Sequence, residues 1–218
     1  MQGVRTAAIL GLAGAALACT SEPAAPAAAK RRSRLAMIRD VAAAQGVHNG
    51  ALIGGIAESE THLAHCWSEA TYACMGPASP SCDGGPIIAG AADGPCSAMQ
   101  GGLGMFQFDA GTWDDTLATY GATILTIEGN TAQAVSFVID KVMLDVPEAT
   151  TRSAAIAWIN AVPVVAGDPT LAQWAQLLAC RYNGCCAATA LCGERANGYR
   201  DHALALVAEQ GAAFWAGP

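Results

Sequence analysis

Apolar residues recur every three or four positions along most of the chain, which is the spacing of amphipathic helices. This spacing predicts helices over residues 35–47, 49–64, 113–120, 131–146, 150–162, 169–182 and 198–210. Polar and glycine residues that favour helix starts and ends flank several of them, namely Asp109, Thr131 and Asp168 at starts and Gly121, Gly184 and Gly211 at ends. Alternating apolar and polar residues form no long run, so the predicted fold is mainly α with little sheet.

Segment 66–103 departs from the helical pattern. It contains the pairs Gly76-Pro77, Ser79-Pro80, Gly85-Pro86 and Gly94-Pro95 together with four cysteines. Such a composition predicts a long insert loop, and cross-links would reduce its entropy. The insert separates the two segments that carry most of the candidate chemistry.

The N-terminus has the pattern of a secretory signal. Arg5 precedes an apolar run over 7–18 that is too short to cross a bilayer and ends in small residues. Residues 1–18 are therefore predicted to be a signal peptide, cleaved either at an ordinary A-x-A site or before a lipidated Cys19. We favour the lipidated form, with 19–34 as an Ala/Pro-rich tether and 35–218 as the folded domain.

Cysteine parity supports the lipoprotein interpretation. With Cys19 acylated, eight cysteines remain, which is an even set suited to disulfides in an oxidising compartment. They are Cys66, Cys74, Cys82, Cys96, Cys180, Cys185, Cys186 and Cys192. Their pairing stays open, because eight cysteines allow roughly a hundred connectivities. His62, His65, Cys66 and Cys74 form an alternative zinc set, but they lack a standard zinc spacing, so we expect no metal and no cofactor.

Charge and composition limit the partners. The chain is 53% hydrophobic and 13% charged, and its net charge of −7 disfavours nucleic acid and anionic surfaces. We expect a monomer that contacts the membrane through its lipid anchor only, in the periplasm or at the outer membrane. A glycan partner would be held by hydrogen bonds and stacking.

The helix predicted over 49–64 carries an acidic residue on its apolar side. Glu60 follows Ile56 by four positions and precedes Leu63 by three, so the three side chains share one face. A carboxyl group in apolar surroundings has a raised pKa and can serve as a general acid. Glu58, two residues earlier, is rotated to the opposite side. If the helix frayed before residue 60, Glu60 would instead be a solvated end residue.

Two further segments carry polar side chains beside glycine. Residues 100–108 read QGGLGMFQF, in which the glycines permit close backbone approach and Gln107 offers a donor and an acceptor to a sugar. The chain has no phosphate-binding loop and no G-x-S-x-G motif. Tyr182-Asn183-Gly184 closes a predicted helix, and a buried tyrosine hydroxyl there would seek a partner such as a carboxyl group.

Together and in this order, these segments resemble the lysozyme-like lytic transglycosylases of bacteria. Residues 56–63, IAESETHL, are similar to the family's helix that ends in a catalytic Glu-Ser, with Thr61 in place of the serine if Glu60 is the acid. Glu58-Ser59 is the alternative match and would make Glu58 the acid on the other face of the helix. Residues 101–107, GGLGMFQ, resemble its Gly-Ala-x-Gly-Leu-Met-Gln stretch, and Tyr182-Asn183-Gly184 resembles its Ala-Tyr-Asn-Ala-Gly. Tyr199 and Val207 are similar to its last helix, so the resemblance spans about residues 38–207.

The resemblance implies a lysozyme-like helical domain that cleaves the bond between N-acetylmuramic acid and N-acetylglucosamine in peptidoglycan glycan strands. Glu60 would act as acid and then as base, closing a 1,6-anhydro ring. The remaining roles fall on substrate-binding residues: Gln107 and the backbone of Gly104, Met105 and Phe106 at the N-acetyl group, with Tyr182 and Asn183 near the acid. Tyr182 is expected to orient Glu60.

Two other functions remain open at this level. A hydrolase similar to goose-type lysozyme would need a second carboxylate to activate water, for which Asp83, Asp93 and Asp109 are candidates. A non-catalytic glycan-binding lipoprotein on the same scaffold would use the insert as its binding surface.

Overall fold

A computed structural model describes residues 25–90, 96 and 101–217 of the chain. The predicted signal peptide, Cys19 and Asp93 lie outside these residues. Within the described part the chain forms eight α-helices and two strands: α1 Ala25–Ala44, α2 Gly50–Thr61, β1 Cys74–Ala78, β2 Pro86–Ala89, α3 Trp113–Tyr120, α4 Ile127–Asp145, α5 Arg152–Ala161, α6 Pro169–Asn183, α7 Ala190–Gln210 and α8 Ala212–Trp215. The prediction of a mainly helical fold with little sheet is confirmed. None of the helices in these ranges combines the length and apolarity needed to cross a bilayer.

Helix caps explain which predicted boundaries are correct. Helix α6 begins after Asp168, whose carboxylate accepts the N–H groups of Thr170 and Leu171, and it ends at Gly184 in the left-handed conformation, as predicted. Helices α4 and α7 begin four and eight residues before their predicted starts at 131 and 198. Thr126 and Thr189 are their caps, because each side chain accepts a backbone N–H from the first turn.

Helix α1 also begins earlier than predicted, at Ala25 rather than residue 35. Part of the predicted extended tether is therefore helical. Alanine has the highest helix propensity, and Lys30 and Arg34 of this stretch pair with Glu69 after α2. These ion pairs fix the early part of α1 against the rest of the fold.

The insert contains an antiparallel hairpin, which corrects the prediction of a loop throughout 66–103. Cys74 of β1 lies opposite Ala89 of β2, and Met75 lies opposite Ile88, with an irregularity before Ala78. Disulfides brace the hairpin, as expected for the insert, and they join Cys66 to Cys82 and Cys74 to Cys96. The strands are too short for their alternation to be distinguished from loop sequence.

Helix α2 is the buried centre of the fold, and α7 packs closely along it. A Cβ atom added to Gly55 would lie 3.0 Å from the backbone nitrogen of Ala203. One added to Gly54 would lie 3.0 Å from a methyl group of Leu206. Because glycine allows this approach, Tyr199, one helical turn before Ala203, comes beside the last turn of α2.

Candidate active site

Glu60 lies in the last turn of α2 and is partly buried. The helix continues to Thr61, so it does not fray before Glu60. Its Oε1 accepts a hydrogen bond from the Tyr199 hydroxyl at 2.5 Å and one from the Asn183 side-chain amide at 3.2 Å. The same amide of Asn183 donates to the Tyr199 oxygen. Side chains from α2, α6 and α7 thus form a closed triangle of hydrogen bonds around one carboxylate oxygen.

The tyrosines near Glu60 stay protonated. Burial, followed by the charge of Glu60, raises the pKa of Tyr199 far above its ordinary value. The same two causes raise the pKa of Tyr182. Each hydroxyl therefore keeps its proton near neutral pH and acts as a hydrogen-bond donor.

Glu58 has different surroundings, although it is only two residues away. Its carboxylate pairs with Arg31 of α1 at 2.8 Å, and Arg31 also pairs with Glu209 of α7 at 2.8 Å. The His62 ring lies 3.7 Å from the other oxygen of Glu58. Glu58 is therefore part of an ion-pair cluster that joins three helices, on a different side of α2 from the Tyr199 hydroxyl.

The stretch from Leu103 to Phe108 forms a tight turn beside the hairpin. Leu103 and Phe108 exchange two backbone hydrogen bonds, and the Gly104 N–H donates to Ile88 of β2. Gly104 and Gln107 both have positive φ, at 73° and 50°. This is the conformation that glycine adopts most readily, and Gln107 adopts it because the paired ends fix the turn.

Three buried polar side chains fix this turn to its neighbours. The Thr61 hydroxyl donates to the Met105 carbonyl at 3.0 Å, and the Met105 N–H donates to His65 Nδ1 at 3.4 Å. The Phe106 N–H donates to the Asn130 side chain at 2.9 Å. Thr61, His65 and Asn130 are at most 1% exposed, so these bonds are shielded from water. The turn is thereby joined to the end of α2 and to α4.

The predicted role of Tyr182 as the partner of Glu60 is wrong in this structure. Its hydroxyl donates to the Phe106 carbonyl, and Tyr199 donates to Glu60 instead. Successive residues of a helix point about 100° apart, and here Tyr182 bonds to the glycine-rich turn while Asn183 bonds to the carboxylate. The sequence had marked Tyr199 only through its likeness to the family's last helix. An additional signal is its spacing of four and seven residues from the buried Ala203 and Leu206.

The predicted N-acetyl subsite is limited by internal hydrogen bonds. The N–H groups of Gly104, Met105 and Phe106 all bond within the protein, and the Met105 and Phe106 side chains are fully buried. The Gly104 carbonyl already accepts two hydrogen bonds from Gln107, and Met105 and Phe106 are 0% exposed, so Gln107 is the residue of this stretch that reaches the surface. The Gln107 amide donates to the Gly104 carbonyl at 2.7 Å, so it also stabilises the turn.

Two disulfides enclose the segment that carries Asn183. Cys180 pairs with Cys186, and Cys185 pairs with Cys192, linking the end of α6 to the start of α7. Together with the two in the insert they account for all eight cysteines that were expected to pair. Four disulfides are typical of a protein that folds in an oxidising compartment.

The alternative zinc set is ruled out by the same bonds, since Cys66 and Cys74 are both oxidised. His65 is fully buried, with both ring nitrogens engaged. In the ranges that the structure covers, no group of three or more His, Cys, Asp or Glu residues is arranged to hold a metal ion.

Two of the candidate second carboxylates lie within the described residues. Asp109 accepts the N–H of Gly111 at 2.7 Å, just after the Leu103–Phe108 turn. Asp83 follows a short turn at Pro80–Cys82 inside the insert.

No protein-family model, curated protein or solved structure matches the chain.

Proposed function

We propose that the chain is a lysozyme-like lytic transglycosylase that cleaves the bond between N-acetylmuramic acid and N-acetylglucosamine in peptidoglycan. The observation that carries this proposal is the carboxylate of Glu60, held at the end of the central helix by Tyr199 and Asn183. Hydrogen bonds link the three segments that resemble the family in sequence, from Thr61 to Met105, from Tyr182 to Phe106 and from Asn183 to Glu60.

In the first step Glu60 acts as a general acid. Asn183 and Tyr199 hold the carboxyl group through hydrogen bonds to its Oε1. The protonated carboxyl group gives its proton to the glycosidic oxygen while the bond from that oxygen to C1 of the muramoyl sugar breaks. The carbonyl oxygen of the sugar's own N-acetyl group bonds to C1, so no second protein carboxylate is required.

In the second step the Glu60 carboxylate acts as a base. It takes the proton of the muramoyl 6-hydroxyl, O6 bonds to C1, and the N-acetyl oxygen leaves. Glu60 regains its proton, and the product is a 1,6-anhydro sugar formed without water. Tyr199 and Asn183 hold Oε1 through both steps, which keeps the carboxyl group in one position relative to the reacting atoms.

The proposed location follows from the disulfides and the N-terminal sequence. Four disulfides support an exported protein, and lipidation of Cys19 would anchor it at a membrane next to its polymeric substrate. Mass spectrometry of the mature N-terminus tests the anchor, and an unmodified Cys19 would contradict it.

Digestion of purified sacculi by the wild type, Glu60→Gln and Glu58→Gln tests the activity. Glu58→Gln is the matched control, because it makes the same chemical change two residues away in the Arg31 ion pair. We expect the wild type and Glu58→Gln to release anhydro muropeptides and Glu60→Gln to release none. Thermal unfolding of each variant checks that the fold is kept.

Three other results would contradict the proposal in different ways. Full cleavage by Glu60→Gln would remove Glu60 from the chemistry. Products that are heavier by one water would indicate a hydrolase. Binding of the wild type to sacculi without cleavage would indicate a glycan-binding lipoprotein.

A further inference from the structure

His65 is a buried histidine whose two ring nitrogens face opposite kinds of hydrogen-bond partner. Nδ1 lies 3.4 Å from the Met105 N–H, which can only donate, and Nε2 lies 3.1 Å from the Leu125 carbonyl, which can only accept. A single state satisfies both partners, namely a neutral ring with its proton on Nε2. A protonated ring would direct a second N–H at the Met105 N–H.

The surroundings of His65 favour this neutral state. Burial is the largest effect and lowers the pKa of His65 to about 4, against a smaller opposing effect of the Leu125 carbonyl. The charged groups acting on the ring are Arg34 of α1, which disfavours a second positive charge, and Glu69, which favours it. Glu69 is itself held by two hydrogen bonds from Arg34, which reduces its effect on the ring.

His65 acts on the same turn as the end of α2. The His65 ring holds the N–H of Met105, and Thr61 holds the carbonyl of the same residue. Thr61 directly follows Glu60, and Gln107 lies two residues after Met105. Thr61 and His65, which follow Glu60 closely in the chain, therefore bind the carbonyl and the N–H of Met105. These two hydrogen bonds fix the separation of Glu60 from the glycine-rich turn.

We propose that His65 is a positioning residue, which as a neutral imidazole sets the Gly104–Gln107 turn against Glu60 and releases that turn when it is protonated. The effect on activity rests on the proposed function, whereas the effect on the turn does not. Cleavage of peptidoglycan is then expected to fall as acid protonates His65, while the helices remain folded. Misplacement of a site by about an ångström lowers rates by about a hundredfold.

Nitrogen NMR of the wild type tests the structural half of the proposal without substrate. Near neutral pH, the His65 ring is expected to give the spectrum of a neutral ring protonated at Nε2. On acidification, the Met105 amide signal should shift in step with the His65 ring, near pH 4. A ring protonated at Nδ1, or a Met105 amide that ignores the His65 titration, would overturn the proposal.

Two substitutions test the consequence for catalysis. His65→Gln keeps a neutral acceptor and donor, so it is expected to retain activity within about threefold and to lose the acidic limb of the pH profile that His65 causes. His65→Leu fills the space without hydrogen bonds, and its kcat is expected to fall about tenfold to a hundredfold with a smaller change in KM. Equal kcat values for His65→Leu and the wild type would overturn the role.

The two halves fail separately. If the wild type cleaves no glycan but shows the coupled His65 and Met105 signals, the proposed function is contradicted and the role of His65 in holding the turn is supported. A wild type that cleaves normally, yet lacks those coupled signals, contradicts the role of His65 and leaves the proposed function standing.

Discussion

Substitution of Gly55 by alanine tests the close contact between α2 and α7. The added methyl carbon would lie 3.0 Å from the backbone nitrogen of Ala203, 3.1 Å from its Cβ and 3.2 Å from its Cα. These atoms belong to the main chain of α7 or are attached directly to it, so no side-chain rotation can relieve the contact. Helix α7 has to move by a few tenths of an ångström, and Tyr199 moves with it.

Two opposing terms set the size of the effect. Alanine is favoured over glycine inside a helix by about 1 kcal/mol. Overpacking of a tight interface typically costs about 1 to 3 kcal/mol. Gly198→Ala in α7 is the matched control, because a Cβ at Gly198 would meet no atom within 4 Å. Both variants gain the helix preference of alanine, whereas only Gly55→Ala has the overpacking cost. The free energies of unfolding of the two variants should therefore differ by about 1 to 3 kcal/mol.

Chemical and thermal unfolding of the two variants measures this difference. For a chain of this size the difference corresponds to roughly 2 to 12 °C in Tm, with Gly198→Ala above the wild type and Gly55→Ala below Gly198→Ala. Gly55→Ala should also lose activity, because the displaced Tyr199 hydroxyl no longer reaches Glu60 at 2.5 Å. Equal stability of the two variants would show that the two helices do not meet at Gly55.

Three further substitutions address the site and its supports. Tyr199→Phe removes one donor to Glu60 and is expected to lower kcat on sacculi about tenfold to a hundredfold, since hydrogen bonds to charged groups are worth about 1.5 to 3 kcal/mol; an unchanged kcat would contradict its role. Glu69 is desolvated, yet hydrogen bonds from Arg34 and Lys30 hold its pKa at about 2, below the ordinary 4.5. The ionised carboxylate therefore adds about 3 kcal/mol to the free energy of unfolding above pH 4.5, and this stabilisation is lost as the pH falls towards 2. Urea unfolding across this range should show a weaker acid dependence for Glu69→Gln, and parallel curves would refute the assignment. Replacement of both Cys180 and Cys186 by serine opens a short ring and should cost about 2 kcal/mol in urea unfolding, whereas an unchanged midpoint would show that the bond adds no stability.

Local periodicity predicted α1 to α7, although α1, α4 and α7 begin four to ten residues earlier than expected, and it did not predict the short α8. The different surroundings of Glu58 and Glu60 follow from helical geometry alone, because two residues correspond to about 200° of rotation. Asp168 and Gly184 marked the ends of α6 for the same local reason. These features depend on neighbours within one or two turns, and the sequence contains those neighbours.

Contacts between distant segments could not be predicted in this way. Tyr199 and Glu60 are 139 positions apart, and the choice of Tyr199 over Tyr182 depends on how α6 and α7 pack against α2. The pairing of Cys185 with Cys192, rather than with its other neighbours, is equally a result of packing. The hairpin in the insert was missed because β2 is only four residues long, which is too short to show a period.

Gly102 lies where two backbone segments of the glycine-rich stretch approach each other closely. A Cβ atom at this position would lie 2.3 Å from the Gln107 carbonyl oxygen. The close approach of these two backbone segments therefore excludes every residue larger than glycine. The requirement for glycine comes from the path of the backbone and would apply equally to a protein that binds no sugar. This glycine therefore indicates the path of the backbone, whereas the chemistry of the site has to be judged from Glu60 and its two hydrogen-bond donors.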